Sequence, residues 1–554
     1  MPVFADLIVT NARVLTMDSE NPAAEAIAVK DGLILSVGDQ SSVLVARGPE
    51  TRMIDAGGGS VIPGFIEAHM HLFSGAAELA HLHLAGIAGF DALQSAIRGY
   101  AASNPDRKML VGQGVDYTVL GGERVTRHHL DRILPDRPFV MGAPDHHTMW
   151  ANTKALEMAG ILHGRALGPG NEIVMGADGL AEGELREGEA FGPVVALAGE
   201  ERARLGLSTG GEPDPAPTPQ ERATDRDILR RGLAWCARHG ITSIQNMDGN
   251  LYQLELLSEI EAEGGLACRV KIPFHYKNFM TLDMLGKASA MAERYDSEWL
   301  SSGMVKVFYD GVLDSWTAVM IDPYADRPDW RGEPLFTPEQ FTEVAVEADR
   351  RGLQIAVHAI GDGAVRAVLN GYEAAQRKNG KRDSRHRIEH IEVTTEADVP
   401  RFAELGVIAS MQPPHPPGAM GLPLEPTISR IGRKRWPLSY AWRTLKDAGA
   451  HVVFASDWPV SPIDPIAGIQ AAVLRKPWAE GMPDQHFSLH EALAGYTVEG
   501  AYAGFMEHRK GVLKPGHLAD IAVLSGDIEA TAPEALHAIR VVTTICGGRI
   551  TWQH

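Results

Sequence analysis

Between residue 61 and about residue 510, short apolar runs alternate with helix-like stretches, and this alternation limits the chain to few architectures. The runs are Val61–Ala68, Ile241–Met247, Arg269–Phe274, Val305–Asp310, Leu353–Ala359, Arg387–Glu392, Val407–Gln412 and His451–Ser456. Runs of this length separated by helices read as parallel strands, because each crossover helix returns the chain to the same end of the sheet. Eight such units are what a (β/α)8 TIM barrel requires. Helix starts are legible too. Thr218-Pro219-Gln220-Glu221 and Thr337-Pro338-Glu339-Gln340 each place Thr at the N-cap, Pro at the first helical position and Glu or Gln at the third. Gly240 and Gly352 stand where helices give way to the next strands. The expected class is α/β.

The ends of the chain read differently. Ala5–Thr10, Arg13–Met17 and Ala26–Gly38 alternate in β fashion, with Asp31-Gly32 as a hairpin turn. Asp520–Leu524, Val541–Ile545 and Gly547–Trp552 do the same, so both ends can form one discontinuous β-sandwich. The gap between the first and second runs is too long for one crossover and implies an inserted α+β subdomain after strand 1. It holds the β-like pieces Leu110–Gly112 and Phe139–Met141 and ends in the Pro/Gly-rich segment Gly206–Pro219. The expected division is 1–62 plus 511–554 for the sandwich, 63–75 plus 220–510 for the barrel, and 76–219 for an insertion covering the barrel mouth.

The first run finishes in His69-Met70-His71, a spacing that puts both imidazoles on one face of a strand. With 22 histidines in 554 residues, about one such pair arises by chance, and His81-Leu82-His83 is a second instance. The company of the first pair separates it. Other runs carry Lys306, His358, His390 and Asp457 at or near their ends. Barrel active sites are built at the C-terminal ends of the strands, so these side chains would meet on one rim able to hold a divalent metal. Read one at a time they have plainer roles: core or capped histidines, a Lys306–Asp310 pair, and a helix N-cap for Asp457.

Composition excludes some partners. The formal charge is −19, and no Lys/Arg cluster offers a binding patch for nucleic acid or an anionic membrane. Three separated cysteines, with no C-x-x-C, fit a reducing interior and a cytoplasmic enzyme. The first residues contain no signal-like segment, and no apolar run has the roughly 20 residues a membrane helix needs.

The motifs together resemble the amidohydrolase superfamily, and within it the YtcJ-like branch (amidohydrolase family 3) that includes N-substituted formamide deformylases. They are Pro63–His71, Met304–Gly311, His358–Asp362, Arg387–His390, Ser410–His415, Ala455–Val460 and Gly511–Ile521. The resemblance implies one or two divalent ions, usually Zn2+. His69 and His71 would hold the more buried ion, His358 and His390 the second, and a carboxylated Lys306 would bridge them. Asp457 would bind the buried ion weakly, act as general base toward a metal-held hydroxide, and then as general acid toward the leaving nitrogen. A homodimer is also implied.

The implied activity is hydrolysis of a non-peptide C–N bond in a small amide. The same site would serve deamination of a heterocycle, or hydrolysis of an ester, carbamate or cyclic amide; an inactive binding protein keeping the fold is the alternative of another class. Candidate substrate contacts are Asp116, Tyr117, His147, Trp316 and His415, each of which also fits a structural loop role. Trp316 stands where the family usually has arginine, and Ile391-Glu392 where an Ala-Gln pair is common. The former points to a substrate with an apolar or aromatic part.

Overall fold

The computed structural model describes residues 3–143, 148–168, 171–186, 188–208 and 210–554. The chain is mixed α/β and divides into two units, one made of residues 1–72, 206–215 and 229–554, the other of 73–205 and 216–228.

In the first unit, parallel strands carry the candidate residues. We label them β1 (Phe65–Met70), β2 (Ile241–Asn246), β3 (Arg269–Lys271, continued by Phe274–His275), β4 (Leu300–Ser301, continued by Met304–Phe308), β5 (Gln354–Ala359), β6 (Arg387–His390), β7 (Ile408–Met411) and β8 (Val452–Phe454). Pro273 cannot donate to a ladder and divides β3. The first halves of β3 and β4 pair in the ladder β1-β2-β3-β4, the second halves in β3-β4-β5-β6-β7-β8, and every pairing is parallel. Beyond β8, Asp457 N donates to His69 O at 2.9 Å and His71 N to Trp458 O at 2.8 Å, tying the end of β8 to the end of β1. The strands are buried along their lengths, as expected for parallel strands covered on both faces.

Arg387, fully buried on β6, ties several of these strands together. Its guanidinium donates to Ala68 O on β1 (2.8 Å), Ser410 Oγ on β7 (2.9 Å), Glu389 on its own strand (2.7 and 2.9 Å) and Gln245 Oε1 on β2.

Two further sheets of this unit use both chain ends. One has the order Leu33–Gly38, Ala26–Lys30, Leu7–Thr10, Arg52–Asp55. The other runs Arg549–Gln553, Val541–Cys546, Ile521–Leu524, Ser60–Pro63, Arg13–Leu15, Ala23–Ala24. Inward residues of both, including Val9, Val14, Ile27, Val61, Ile521 and Ile545, form a single core. The expected Asp31-Gly32 hairpin is present, with φ of 50° and 79° at the two turn residues.

The second unit holds a six-stranded sheet in the order Glu172–Met175, Ala181–Arg186, Thr148–Ala151, Phe139–Gly142, Leu110–Gln113, Leu82–His83. The helices Phe90–Ser103 and Arg127–Ile133 bury their apolar residues in one core cluster of this unit. The helices Thr153–Met158 and Gly188–Val195 bury theirs in another. Both predicted capping boxes form: Thr218 with Glu221, and Thr337 with Gln340.

Candidate active site

His69 and His71 leave the end of β1, and both aim Nε2 at the same atom, Asp457 Oδ1, 3.2 Å from each. His69 donates its Nδ1–H to Glu389 Oε2 at 2.6 Å, which leaves a lone pair on Nε2. His69 Nε2 and Asp457 Oδ1 are buried and have no hydrogen-bond donor among the described residues. Lone pairs facing one another at this separation repel unless a cation lies between them.

His390, at the end of β6, donates Nδ1–H to Gln412 Oε1 at 2.9 Å. Ligand atoms of His69, His390 and Asp457 lie within 4.8 Å of one another, the arrangement a metal ion needs. His358, from β5, donates Nε2–H to Gly311 O at 3.0 Å, and its ring centroid lies 4.5 Å from that of His390. Burial first, and then the Lys306 charge, pulls the His358 pKa down to about 3; burial and the neighbouring imidazoles hold His390 well below its ordinary value. Both stay neutral, the state in which an imidazole can hold a metal.

Two of these positions carry unusual backbone. His390 has φ 79° and Asp457 φ 60°, left-handed values that side chains other than glycine rarely adopt. At His390 this breaks the strand alternation, so His390 and its neighbour Glu389 both reach the site.

Lys306, on β4, is wholly buried and its Nζ has no hydrogen-bond partner among the described residues. Burial lowers its pKa to about 8, against the raising effect of Glu389 and Asp457. The Lys306–Asp310 pairing left open by the sequence does not form. Asp310 instead accepts backbone N–H groups from Val319 (2.8 Å), Ile360 (3.0 Å) and Gly361 (3.0 Å), while burial raises its pKa to about 7. Nor is Asp457 a helix cap; the following helix, Pro465–Val473, is capped by Asp464.

His415 is partly buried beside the cluster. Its Nε2 lies 3.8 Å from Asp457 Oδ2, and its ring stacks on His390 at 5.9 Å. Trp316 packs with Leu313, Tyr324 and Trp330; its indole N–H donates to Asp326 at 3.1 Å and the Arg430 guanidinium lies 3.8 Å from its ring. Asp116 and Tyr117 belong to the second unit. Asp116 accepts from Thr118 N at 2.7 Å, and exposed Tyr117 meets Trp150 edge-on at 5.2 Å. His147 lies outside the described residues. Of the second His-x-His, His81 is buried against Glu200 Oε2 at 2.7 Å within the second unit.

Several residues escaped the sequence reading. Glu389 holds His69, and Arg387 holds Glu389; although burial opposes it, the charge of Arg387 and the His69 hydrogen bond keep this carboxyl well below the usual range. Glu67 accepts from Ser456 N at 2.7 Å, fixing the turn that presents Asp457, and burial raises its pKa to about 8. His275 ends β3, where Pro273 cuts the apolar run short. For Arg387, Glu389 and Glu67 a signal existed: a charged residue inside an otherwise apolar strand.

The amidohydrolase family model matches residues 52–552. The chain belongs to the amidohydrolase family. Protein LONG AFTER FAR-RED 3 of Arabidopsis thaliana is 30% identical over 94% of this chain and 88% of its own length. N-substituted formamide deformylase of Arthrobacter pascens is 26% identical over 100% of this chain and 99% of its own. The crystal structure of a metal-dependent hydrolase from Pyrococcus horikoshii covers 95% of this chain and 99% of its own, with a TM-score of 0.74 at 23% identity. This chain is thus an enzyme of the amidohydrolase family and shares its fold with that hydrolase.

Proposed function

We propose that the protein hydrolyses a non-peptide C–N bond in a small amide, with N-substituted formamides as the first class to try. The observation that carries the reading is the convergence of His69 Nε2, His71 Nε2 and Asp457 Oδ1, all buried, on one point. These donors fit a divalent cation of the zinc type held by His69, His71 and Asp457, with His358, His390 and a carboxylated Lys306 extending the site to a second ion. Two features support the carbamate. A lysine must be neutral to add CO2, and burial lowers the Lys306 pKa; its Nζ also has no hydrogen-bond partner among the described residues. When bound, the metal lowers the pKa of water and polarises the scissile carbonyl.

The chain's own residues do the rest. Asp457 takes the proton of the attacking water on its carboxylate and passes it to the departing nitrogen. Glu389 and Gln412 fix the ring orientations of His69 and His390. His415 Nε2, buried and without a hydrogen-bond partner among the described residues, would donate to the carbonyl oxygen as charge develops. Trp316 and its aromatic neighbours give an apolar wall for the substituent. We further read the eight parallel strands as a (β/α)8 barrel with residues 63–75 and 220–510, the two end-built sheets as a β-sandwich of 1–62 and 511–554, and 76–219 as the inserted subdomain. The compartment is the cytoplasm, in keeping with three free, buried cysteines.

A panel of aryl formamides, acyl anilides, aryl esters, hydantoins and nucleobases, assayed with metal-loaded and chelator-stripped protein, tests the reading. Metal-dependent release of formate or another acid is expected. Release of ammonia from a heterocycle would instead establish deamination.

A further inference from the structure

Beyond His390 the backbone stays left-handed for a second residue. Ile391 has φ 49°, a value that β-branched side chains rarely adopt, and strain of this kind gathers at functional sites. The turn ends β6 and leads into Glu392, which faces the loop after β7. Glu392 Oε1 lies 3.9 Å from His415 Nδ1.

The carboxyl is held by one oxygen only. Tyr440 O–H donates to Oε2 at 2.8 Å and Tyr440 N to the Glu392 carbonyl oxygen at 2.9 Å, while Oε1 receives no hydrogen bond among the described residues. His415 is held as firmly. Its N donates to Gln412 O at 3.0 Å, its ring lies within 10° of parallel to that of His390, and its Nε2 is 3.8 Å from Asp457 Oδ2. With Nε2–H turned toward the reacting carbonyl, as read above, the lone pair is on Nδ1. Two acceptors then face one another across a gap too wide for a direct hydrogen bond, and they repel unless a donor stands between them. A nitrogen about 2.9 Å from each fills the gap.

The charges favour a cation there. Those acting on Glu392 come from Asp314, Asp310 and Asp457, and burial, ahead of these, raises its pKa to about 8 against the Tyr440 hydrogen bond. An ammonium beside Oε1 offsets both. The Glu392 and His415 side chains each keep 12% of their surface exposed, so neither is sealed from an incoming group.

We propose that Glu392 Oε1 and His415 Nδ1 form a substrate subsite for one ammonium group, so that the preferred amides carry a primary amine an imidazole's breadth from the reacting carbonyl. Glu392 is then a specificity-determining residue. The inference rests on the hydrolase reading above, including its placing of His415 Nε2.

Two probes test it on the full chain, wild type against Glu392→Gln, which introduces the residue common at this position in the family. The first is benzylammonium, titrated calorimetrically into zinc-loaded and chelator-stripped protein; the variant should bind it about 10–100-fold more weakly in both forms. The second is a set of formanilides with an aminomethyl group at the ortho, meta or para position, each compared with its ethyl counterpart. The wild type should favour the best aminomethyl member about 10–100-fold in kcat/KM, mainly through KM, and the variant should lose that preference while its rate on the ethyl member changes about threefold or less. Equal binding of benzylammonium by both proteins, no preference in the wild type, or an equal loss on both members of the pair would each overturn the inference, the last by showing that Glu392 only orients His415. If the variant does not fold, the wild-type preference decides alone. Hydrolysis of neither series, with benzylammonium still bound through Glu392, would instead remove the formamide reading and keep the subsite.

Discussion

Glu389 Oε2 lies 2.6 Å from His69 Nδ1. The same oxygen takes a second hydrogen bond, from Arg387 Nη2 at 2.9 Å, so the carboxylate cannot turn away from the imidazole. Glu389→Gln keeps the shape but can present its NH2 instead of an acceptor. We expect retention of divalent metal to fall about 10–100-fold with the fold preserved, read by elemental analysis after graded chelator treatment. Unchanged metal content would show that Arg387 and Glu389 serve packing alone.

Asp457→Asn removes the proposed proton acceptor while retaining volume. The expected loss in kcat is about 10²–10⁴-fold, with KM changed far less. Stopped assays on an aryl formamide, with circular dichroism to confirm folding, decide it.

Lys306 sets a pH rule for assembly of the centre. With a pKa lowered to about 8 by burial, its neutral fraction rises close to tenfold per pH unit below that value. At a fixed concentration of dissolved CO2, reactivation of stripped enzyme by Zn2+ should therefore be about tenfold faster at pH 7 than at pH 6. A 13C-bicarbonate label should appear as a carbamate, and Lys306→Ala should abolish the signal. A rate indifferent to pH and bicarbonate would remove the carbamate.

Asp520 tests the scaffold. It accepts from Arg269 Nε at 3.0 Å, Lys510 Nζ lies 3.1 Å away, and all three residues are buried. Burial pushes its carboxyl up, but Lys510 and then Arg269 outweigh this and hold it well below the usual range. A carboxyl depressed in the folded state contributes stability that is complete above its unfolded pKa, about 4, and lost as pH falls through the folded value. Urea midpoints should be steady from pH 7 to 5 and drop below pH 4, and Asp520→Ala should cost about 3–5 kcal/mol by taking the facing carboxylate from buried Lys510 and leaving Arg269 only Glu298. An equally steep acid limb in that variant would assign the acid sensitivity to other groups.

What the sequence disclosed follows from contrast. His69-x-His71, Lys306, His358 and Asp457 stand out because polar groups interrupt or finish apolar runs, and the strands themselves are legible because parallel strands are buried on both faces. Glu389 is marked by its charge inside an apolar strand, but not by the direction in which it faces. It precedes His390, and simple alternation would send only one of two neighbours inward; the φ of 79° at His390, invisible in sequence, lets both reach the site. His275 fell outside its apolar run, beyond Phe274. The partners of Asp310 were equally out of reach, since they are backbone N–H groups from two separate segments.

Residues 521–524 form a strand beside residues 60–63, immediately ahead of the strand that carries His69 and His71. During synthesis a ribosome must add some 460 further residues after Pro63 before that neighbour exists. The base of the strand that carries His69 and His71 therefore stays open at one edge for almost the whole of translation, and a chain stalled short of Ile521 would have made every candidate ligand yet lack the clamp that seats the first two.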